Sequence, residues 1–299
     1  MKRLHRKRDA AALSSRLIRR PIQRMVWLFL LPTFAAFCIG FLYPFLKGAF
    51  LSFCKFKLTS QWTWVGFSNY VKAFSDSTFV HAFWYTALFA FVSVLFINVL
   101  AFAVAYFLTK GIKGSNLFRT VFFMPNLIGG IVLGYIWSMI FDGILVKYET
   151  SVVLESKYGF WGLIILMCWQ QVGYMMIIYI AGLQSIPEDM LEAARIDGAN
   201  SWQMLWKVTI PNMMSSFTIC IFLTLTNGFK LFDQNLALTG GDPAHKTEML
   251  ALNIYQTFYG RSGPQWKGYG QAKAVIFCIL VIAISLFQLR ATRSKEVQQ

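Results

Sequence analysis

The chain has 299 residues, of which 57% are apolar and only 14% charged, whereas soluble domains carry roughly a quarter charged residues. This composition excludes an ordinary soluble globular protein. A net charge of +15 would suit nucleic-acid binding, but nine of the 28 Lys and Arg residues lie in the first 24 positions, away from any folded basic surface with interleaved aromatic rings. Nucleic acid is therefore not expected as a partner.

The N-terminal segment, residues 1–25, is basic, and an apolar run follows it. That run is too long for the apolar region of a typical signal peptide, and it has no small-x-small cleavage site. We therefore predict a retained first helix, preceded by an amphipathic segment on the cytoplasmic surface of the membrane.

Residues 26–290 contain repeated apolar stretches, and about 20 such residues are enough to cross a bilayer as a helix. Six spans are predicted: Val26–Leu46, Ala82–Thr109, Thr120–Phe141, Tyr158–Ser185, Val208–Phe229 and Ala274–Leu289, the last beginning nearer Gly270. Lys and Arg are more frequent between alternate spans on the N-terminal side, as is typical of cytoplasmic loops. The sequence thus predicts an all-α integral membrane protein with cytoplasmic termini, ending in a tail over residues 291–299.

Candidates for catalysis or metal binding are scarce in the predicted spans. All three histidines, His5, His81 and His245, lie outside the spans, and no two of the five cysteines form a CxxC pair. No Ser/His arrangement or metal-ligand spacing occurs within the spans. We expect neither a catalytic centre nor a metal site.

The stretch LTGGDPAHKT has some similarity to a phosphate-binding loop. In the pattern G-x4-G-K-[ST], however, the second glycine would fall at His245. The stretch also follows an apolar span on the outer side of the membrane, with no strand before it. An ATPase site within this chain is therefore not expected.

A charged, amphipathic stretch over residues 186–210 interrupts the apolar spans. Ser185–Glu188 has the S-x-x-E form of a capping box and predicts the start of a helix, with Pro187 in the first turn. Met190, Ala193 and Ala194 then share one helical face by their i, i+3, i+4 spacing.

The same stretch predicts a second short helix. Glu192 can pair with Arg195 on the first helix, and Gly198 ends it, because glycine permits a turn. Ser201 is predicted to cap the second helix, whose apolar face consists of Trp202, Leu205 and Trp206. Two short helices beneath the bilayer suit either a stabilising interfacial element or a docking surface for a cytoplasmic partner.

Residues Glu192–Pro211 resemble the EAA signature of permeases from binding-protein-dependent ABC importers, E-A-A-x3-G-x9-I-x-L-P. The chain matches it with Glu192, Ala193, Ala194, Gly198 and Pro211, and differs by Val208 for Ile and Ile210 for Leu. Three further segments are similar to sugar-type permeases of the maltose and glycerol-phosphate type: Phe122–Trp137, Asn227–Pro243 and Tyr269–Ala274. The chain is thus identified as a member of the carbohydrate-uptake permeases of type I ABC importers.

This resemblance implies a six-helix permease fold in a bacterial cell membrane, with a cytoplasmic coupling helix in the loop 186–210. It implies four kinds of partner: a second homologous permease, two cytoplasmic ATPase subunits, an extracytoplasmic solute-binding protein and a sugar. ATP-Mg would be bound by the ATPases, and no cofactor by this chain. In the family the coupling loop seats in a groove of the ATPase. By position, that role falls to Glu192, Ala193, Ala194, Arg195, Asp197 and Gly198.

Polar side chains inside a span are costly unless they face partners or a water-filled cavity. Asn98 and Asn126 are expected to hydrogen-bond neighbouring helices. Amides beside aromatic rings suit a polyol, and Gln170 and Tyr174 share a helical face. With the resemblance, the predicted substrate path comprises Gln170, Gln171, Tyr174, Phe229, Lys230 and Asp233. Lys230 either contacts an anionic sugar or pairs with Asp233 across one turn.

Two alternative functions follow from the same sequence. An ion-coupled secondary transporter would favour an intramembrane carboxylate or an inverted repeat, and neither is visible in the sequence. An ABC permease for a solute other than a sugar is the nearer rival. The stretch NGFKLFDQNLALTGGDP favours sugars by its similarity to carbohydrate-uptake permeases.

Overall fold

The computed structural model describes residues 28–293, with side chains up to residue 290. The basic segment 1–25 lies outside the described residues, as does most of the predicted tail 291–299. Helices dominate the described part. In chain order they are α1 (Leu28–Leu51), α2 (Ser68–Ser75), α3 (Ser77–Leu108), α4 (Ser115–Phe123), α5 (Gly130–Leu145), α6 (Ser156–Gln184), α7 (Glu188–Ile196), α8 (Ser201–Asn212), α9 (Met214–Phe229), α10 (Asp233–Leu238), α11 (Leu250–Tyr259) and α12 (Pro264–Arg293).

Five helices of the described chain are long and apolar enough to cross a membrane: α1, α3, α5, α6 and α12. A sixth span results if α8 and α9, which meet at an angle of 71°, are counted as one broken span. The predicted number of spans therefore agrees with the structure, although several of the predicted boundaries do not.

The third predicted span, Thr120–Phe141, is wrong at both ends. Residues up to Phe123 belong to the separate helix α4, a 3-10 turn occupies Met124–Leu127, and the spanning helix starts only at Gly130. Pro125 in the turn has no backbone N–H to donate, and Gly129 is extended, so the apolar run cannot continue as one helix.

The other spans differ mainly in length. Helix α1 continues to Leu51, α3 begins five residues before Ala82, and α12 begins at Pro264, ten residues before the predicted Ala274. The fifth predicted span, Val208–Phe229, is wrong at its start, because Val208–Asn212 belongs to α8 and the bend at Met213 separates it from α9. Pro211, which cannot donate a backbone hydrogen bond, lies just before this bend.

The predicted all-α membrane fold class is confirmed, and one short two-stranded sheet is added to the helices. Strands β1 (Cys54–Leu58) and β2 (Gln61–Trp64) form an antiparallel hairpin after α1. Asn69 fixes the hairpin by donating from Nδ2 to the carbonyls of Ser52 and Cys54, at 2.8 and 3.0 Å. Helix α12 passes closely enough that a Cβ on Gly268 would overlap the Cys54 carbonyl oxygen.

The core lies where α3, α6 and α9 pack together, and a polar chain connects the three helices within it. The Tyr179 hydroxyl donates to Asn98 Oδ1 at 2.7 Å, and Asn98 Nδ2 donates to Thr224 Oγ1 at 2.9 Å. All three side chains are buried, so each hydrogen bond satisfies a group that water does not reach. The expected structural role of Asn98 is confirmed.

Candidate functional site

Helices α7 and α8 form an arm at the end of the molecule predicted to be cytoplasmic. Gly198 connects them with a φ of +78°, a left-handed conformation that glycine adopts without a steric penalty. The two-helix prediction with a turn at this glycine is therefore confirmed. Of the predicted coupling residues, Ala194 is half-buried and the others are exposed: Glu192, Ala193, Arg195, Asp197 and Gly198.

Three local predictions for this arm are wrong. Pro187, not Ser185, occupies the N-cap of α7, and the Ser185 hydroxyl donates to the Gly182 carbonyl instead. Asn200, one residue before Ser201, caps α8 and forms a reciprocal capping box with Gln203. An amide oxygen accepts from the backbone N–H as well as a hydroxyl does, so Asn200 takes the role predicted for Ser201.

The third wrong prediction concerns charge pairing on the arm. Glu192 and Arg195 form no ion pair within 4 Å, although both lie in the described part of the chain. The rings of Trp202 and Trp206 lie 5.5 Å apart and stay largely exposed. The arm thus presents an unpaired carboxylate, an unpaired guanidinium and two indole rings on the protein surface.

A polar cavity of about 320 Å³ lies near the middle of α6. Gln170 is the fifteenth of 29 residues in this helix, so it lies on the order of 21 Å from either end at 1.5 Å per residue. The residues around the cavity are Asn126, Gln170, Gln171, Asn227, Lys230, Leu231, Phe232, Asp233 and Gln234. Amides predominate among them, at a depth where a bilayer core would otherwise surround the helix.

Hydrogen bonds hold these amides in place from several elements. Gln234 Nε2 of α10 donates to Gln170 Oε1 at 2.7 Å, and Gln170 Nε2 donates to the Ile128 carbonyl at 3.3 Å. Asn227 Nδ2 of α9 donates to Gln171 Oε1 at 3.4 Å. The remaining donors and acceptors of these side chains are available to a hydroxylated ligand.

The structure brings together four of the six predicted substrate-path residues. Gln170, Gln171, Lys230 and Asp233 line the cavity, and Lys230 forms no ion pair with Asp233 within 4 Å. The alternative of an internal Lys230–Asp233 pair is therefore not what the structure shows, and both charges are available at the cavity. Lys230 is exposed.

Tyr174 and Phe229 do not line this cavity. Tyr174 lies one turn beyond Gln170 on α6, at the predicted i, i+4 spacing, but its half-buried ring packs towards Phe123, and the two rings are 6.4 Å apart. Phe229, whose assignment comes from the family resemblance, is buried among the helices. Asn126 departs from expectation in the opposite way, because it lines the cavity rather than bridging two helices.

A charged cluster at the opposite end of the molecule from the arm escaped prediction. Lys273 of α12 is fully buried, and its Nζ donates to Asp76 Oδ2 at 2.9 Å and to Asn253 Oδ1 at 2.8 Å. Tyr269 also donates to Asp76, and Thr257 accepts from Lys273 at 3.1 Å. Asp76 and Lys273 lie 197 positions apart, so no local pattern in the sequence indicates the pair.

The Asp76 carboxylate stays ionised in this cluster. Burial opposes its charge, but hydrogen bonds from Tyr269, Lys273 and Thr78, together with the Lys273 charge, hold the pKa of Asp76 well below its usual range. The same carboxylate caps α3 by accepting from the Thr78 N–H at 3.0 Å. One side chain therefore connects the start of α3 to α12.

The chain is similar in sequence to a known family of membrane transport proteins. The model of the family described as "binding-protein-dependent transport system inner membrane component" matches residues 97–295. The probable starch degradation products transport system permease protein AmyD of Thermoanaerobacterium thermosulfurigenes is 41% identical over 280 residues, covering 91% of this chain and 95% of the relative. The multiple sugar-binding transport system permease protein MsmF of Streptococcus mutans is 32% identical, covering 91% and 96%.

Among solved structures, a bacterial ABC transporter involved in the import of the acidic polysaccharide alginate has the same fold. The TM-score is 0.78 at 19% sequence identity, with 93% of this chain and 98% of that chain covered. The chain therefore belongs to the family of inner membrane components of binding-protein-dependent transport systems, and it has the fold of a type I ABC importer permease. It is a multi-pass membrane protein of the permease class, which excludes the ion-coupled secondary transporter.

Proposed function

We propose that this chain is the permease subunit of an ABC importer for a carbohydrate, either an oligosaccharide or a sugar derivative, delivered by an extracytoplasmic binding protein. The observation that carries the proposal is the amide-lined cavity near the middle of α6. Sugars present many hydroxyl groups, and Gln170, Gln171 and Gln234 offer both donors and acceptors there. The names of the relatives, which refer to starch degradation products and to multiple sugars, support the same substrate class.

The two charged side chains at the cavity suit either a neutral or an anionic sugar. Lys230 and Asp233 stand at the same cavity without pairing, so a ligand can meet either a cation or an anion. A neutral sugar would accept from Lys230 and donate to Asp233 through its hydroxyl groups, as in charge-assisted hydrogen bonds generally. An anionic sugar would favour Lys230 alone. A permease for a non-sugar solute is the remaining alternative.

Energy for transport is proposed to come from separate subunits. The stretch 238–247 begins at the last residue of the six-residue helix α10 rather than after a strand, unlike a phosphate-binding loop. We therefore assign ATP-Mg to two cytoplasmic ATPase subunits and no cofactor to this chain. A second permease subunit completes the membrane portion in this proposal, and both termini of the chain lie in the cytoplasm of a bacterial cell.

The arm α7–α8 is proposed as the contact with the ATPase. Its exposed Glu192, the small Ala193 and Ala194, and the tight turn at Gly198 allow a partner to approach closely. Arg195 and Asp197 add charges of both signs at the rim. The lack of an ion pair between Glu192 and Arg195 leaves the carboxylate available to a basic residue of the ATPase.

The first experiment is gentle purification of the tagged chain from its native membrane, with mass spectrometry of the proteins that accompany it. A second permease with an ATPase supports the importer. A chain that purifies alone, with uptake that persists after ATP depletion, contradicts it.

Two variants then test the assigned surfaces. Gln171→Ala is expected to reduce sugar uptake at least tenfold without affecting assembly, whereas Gln184→Ala, at the exposed end of the same helix, should leave uptake unchanged. Glu192→Lys is expected to abolish ATP-dependent uptake, with Asp189→Lys on the same helix as control. Normal uptake in Gln171→Ala would contradict the assigned cavity, and normal uptake in Glu192→Lys would contradict the assigned arm.

A further inference from the structure

A second, larger cavity of about 620 Å³ lies between the first turns of α3 and α6 and the loop before α11. We call it the outer groove, because it lies at the end of the molecule opposite the arm. Its lining residues are Ser77, Thr78, His81, Tyr85, Leu88, Ser156, Lys157, Phe160, Trp161, Ala244, His245 and Lys246. None of them belongs to the substrate cavity or to the arm.

Polar and apolar residues are separated along the outer groove. Ser77 and Lys157 lie in the first turns of their helices, and Lys246 lies in the loop, so the charged groups surround the mouth. Leu88 lies eleven residues after Ser77, which places it about 16 Å deeper along α3. One leaflet of a bilayer has a hydrocarbon depth of about 15 Å. The groove therefore passes from a cationic mouth to an apolar floor over the depth of one leaflet.

The positive charges at the mouth have no carboxylate partners. Neither Lys157 nor Lys246 forms an ion pair within 4 Å, and both are exposed. Of the nearby carboxylates, Glu248 pairs with His245 at 2.8 Å and Asp76 with Lys273 at 2.9 Å. Glu155 and Asp242 are exposed and lie within 4 Å of neither lysine nitrogen. The mouth thus offers two cationic side chains to an anion.

One polar atom inside the groove has no partner. The Tyr85 hydroxyl is buried and makes no hydrogen bond within the described chain. Its ring lies between those of His81 and Phe160, at 6.1 and 5.7 Å, so it cannot turn away from the groove without losing these contacts. A buried hydroxyl without a partner costs free energy, and an oxygen-bearing ligand would satisfy it.

We propose that the outer groove binds one anionic phospholipid of the outer leaflet. The headgroup phosphate lies between Lys157 and Lys246, an ester oxygen accepts from the Tyr85 hydroxyl, and an acyl chain follows Leu88, Phe160 and Trp161. Basic pockets between transmembrane helices bind anionic headgroups on the cytoplasmic side of membranes, and the outer groove has the same charge pattern in the other leaflet. A soluble anion would satisfy the lysines but would leave the apolar floor empty. The choice of the outer leaflet rests on the proposed function, in which the arm at the opposite end of the molecule lies in the cytoplasm.

The test is native mass spectrometry of the delipidated, purified importer complex, titrated with phosphatidylglycerol or with phosphatidylethanolamine of identical acyl chains. The wild type is expected to bind phosphatidylglycerol about tenfold more tightly. The variant Lys157→Gln/Lys246→Gln should lose that preference, because each lysine near an anionic headgroup contributes on the order of a factor of five. Lys147→Gln, an exposed lysine outside the groove, serves as the matched control and should bind as the wild type does.

Tyr85→Phe keeps the ring and removes only the hydroxyl, so it should weaken both lipids severalfold without changing their ratio. Equal binding of the two lipids by the wild type would overturn the proposal, as would equal losses in Lys147→Gln and the double variant. Displacement of the lipid by inorganic phosphate alone would identify a soluble-anion site instead. Crosslinking of Leu88→Cys to a second permease subunit would show that protein, not lipid, covers the groove.

Discussion

The two ends of this permease are built in opposite ways. At the outer end, a fully buried lysine joins α12 to Asp76 and to α11, and the β-hairpin packs directly on α12. At the other end, none of the residues of α7 is buried, and α8 contains a π-helical stretch, Met204–Thr209, a few residues before the bend. The outer end is held by its own buried contacts, whereas the arm leaves charged and aromatic side chains exposed. The contacts that stabilise the chain and the surface proposed to bind the ATPase therefore lie at different ends.

The largest effect is expected from Lys273→Met in the outer cluster. This change leaves the Asp76 carboxylate without its buried cation, and breaking one partner of a buried pair costs about 3–5 kcal/mol. We expect little folded permease, measured as the monodisperse fraction in detergent after purification. Adding Asp76→Asn to the same variant should recover part of that fraction, because the unpaired charge is removed. If the double variant gave no more folded permease than Lys273→Met alone, the unpaired carboxylate would not be the cause of the loss.

A steric variant tests the packing of the hairpin at the same end. Gly268→Ala places a methyl group against the Cys54 carbonyl, where α12 and β1 must separate to accommodate it. Overpacking of this kind costs about 1–3 kcal/mol, which should appear as a melting temperature several degrees lower. Gly40→Ala, in α1 with nothing within 4 Å of the new Cβ, is the control and should melt as the wild type does.

Acid should weaken the outer end through Asp76. Its pKa is lower in the folded protein than the value of about 3.9 for an unfolded chain, so its ionised form stabilises the fold above that pH. As the pH falls below about 4, the unfolded chain takes up a proton first and this stabilisation is lost. Melting temperatures of wild type and Asp76→Asn, compared between pH 7 and pH 3, should converge as the pH falls. If the difference between the two melting temperatures stayed constant over this pH range, the stabilising role of the Asp76 carboxylate would be contradicted.

The smallest stability effect is expected in the arm. Gly198→Ala meets nothing within 4 Å, so only the left-handed backbone conformation opposes it, at a cost of about 1–2 kcal/mol. Because the arm shares few contacts with the rest of the molecule, the melting temperature should change little while ATP-dependent uptake falls. A large loss of stability in this variant would show that the arm is part of the core and would remove the contrast between the two ends.

Features encoded by nearby residues could be predicted from the sequence. The apolar runs predicted the spans, and Gly198 predicted the turn between α7 and α8, since each depends on a few consecutive residues. The break before α5 was missed even though Pro125 and two glycines mark it, because the apolar composition continues across it. The N-cap at Asn200 was assigned one residue late, to a neighbour with equivalent chemistry.

Features that depend on residues far apart in the chain were harder to predict from the sequence. Gln170 and Gln171 were identified as amides inside a span, but their partners Gln234 and Asn227 lie 64 and 56 residues away. Tyr174 was assigned to the cavity from its helical spacing to Gln170 and from the family resemblance, and neither shows which neighbouring helix covers a face. Lys273 looked like one basic residue among many, and only the tertiary structure reveals its burial beside Asp76.

The bend between α8 and α9 has a mechanical consequence when it is considered together with the other end of α9. There Gly228 lies so close to α3 that a Cβ would be 3.1 Å from the Cα of Ala90, which fixes that end as a fulcrum. The fulcrum is fourteen residues from Met214, or about 21 Å along the helix axis. A displacement of the arm would therefore rotate α9 about this contact. Asn227, next to the contact, would change its orientation with little change of position.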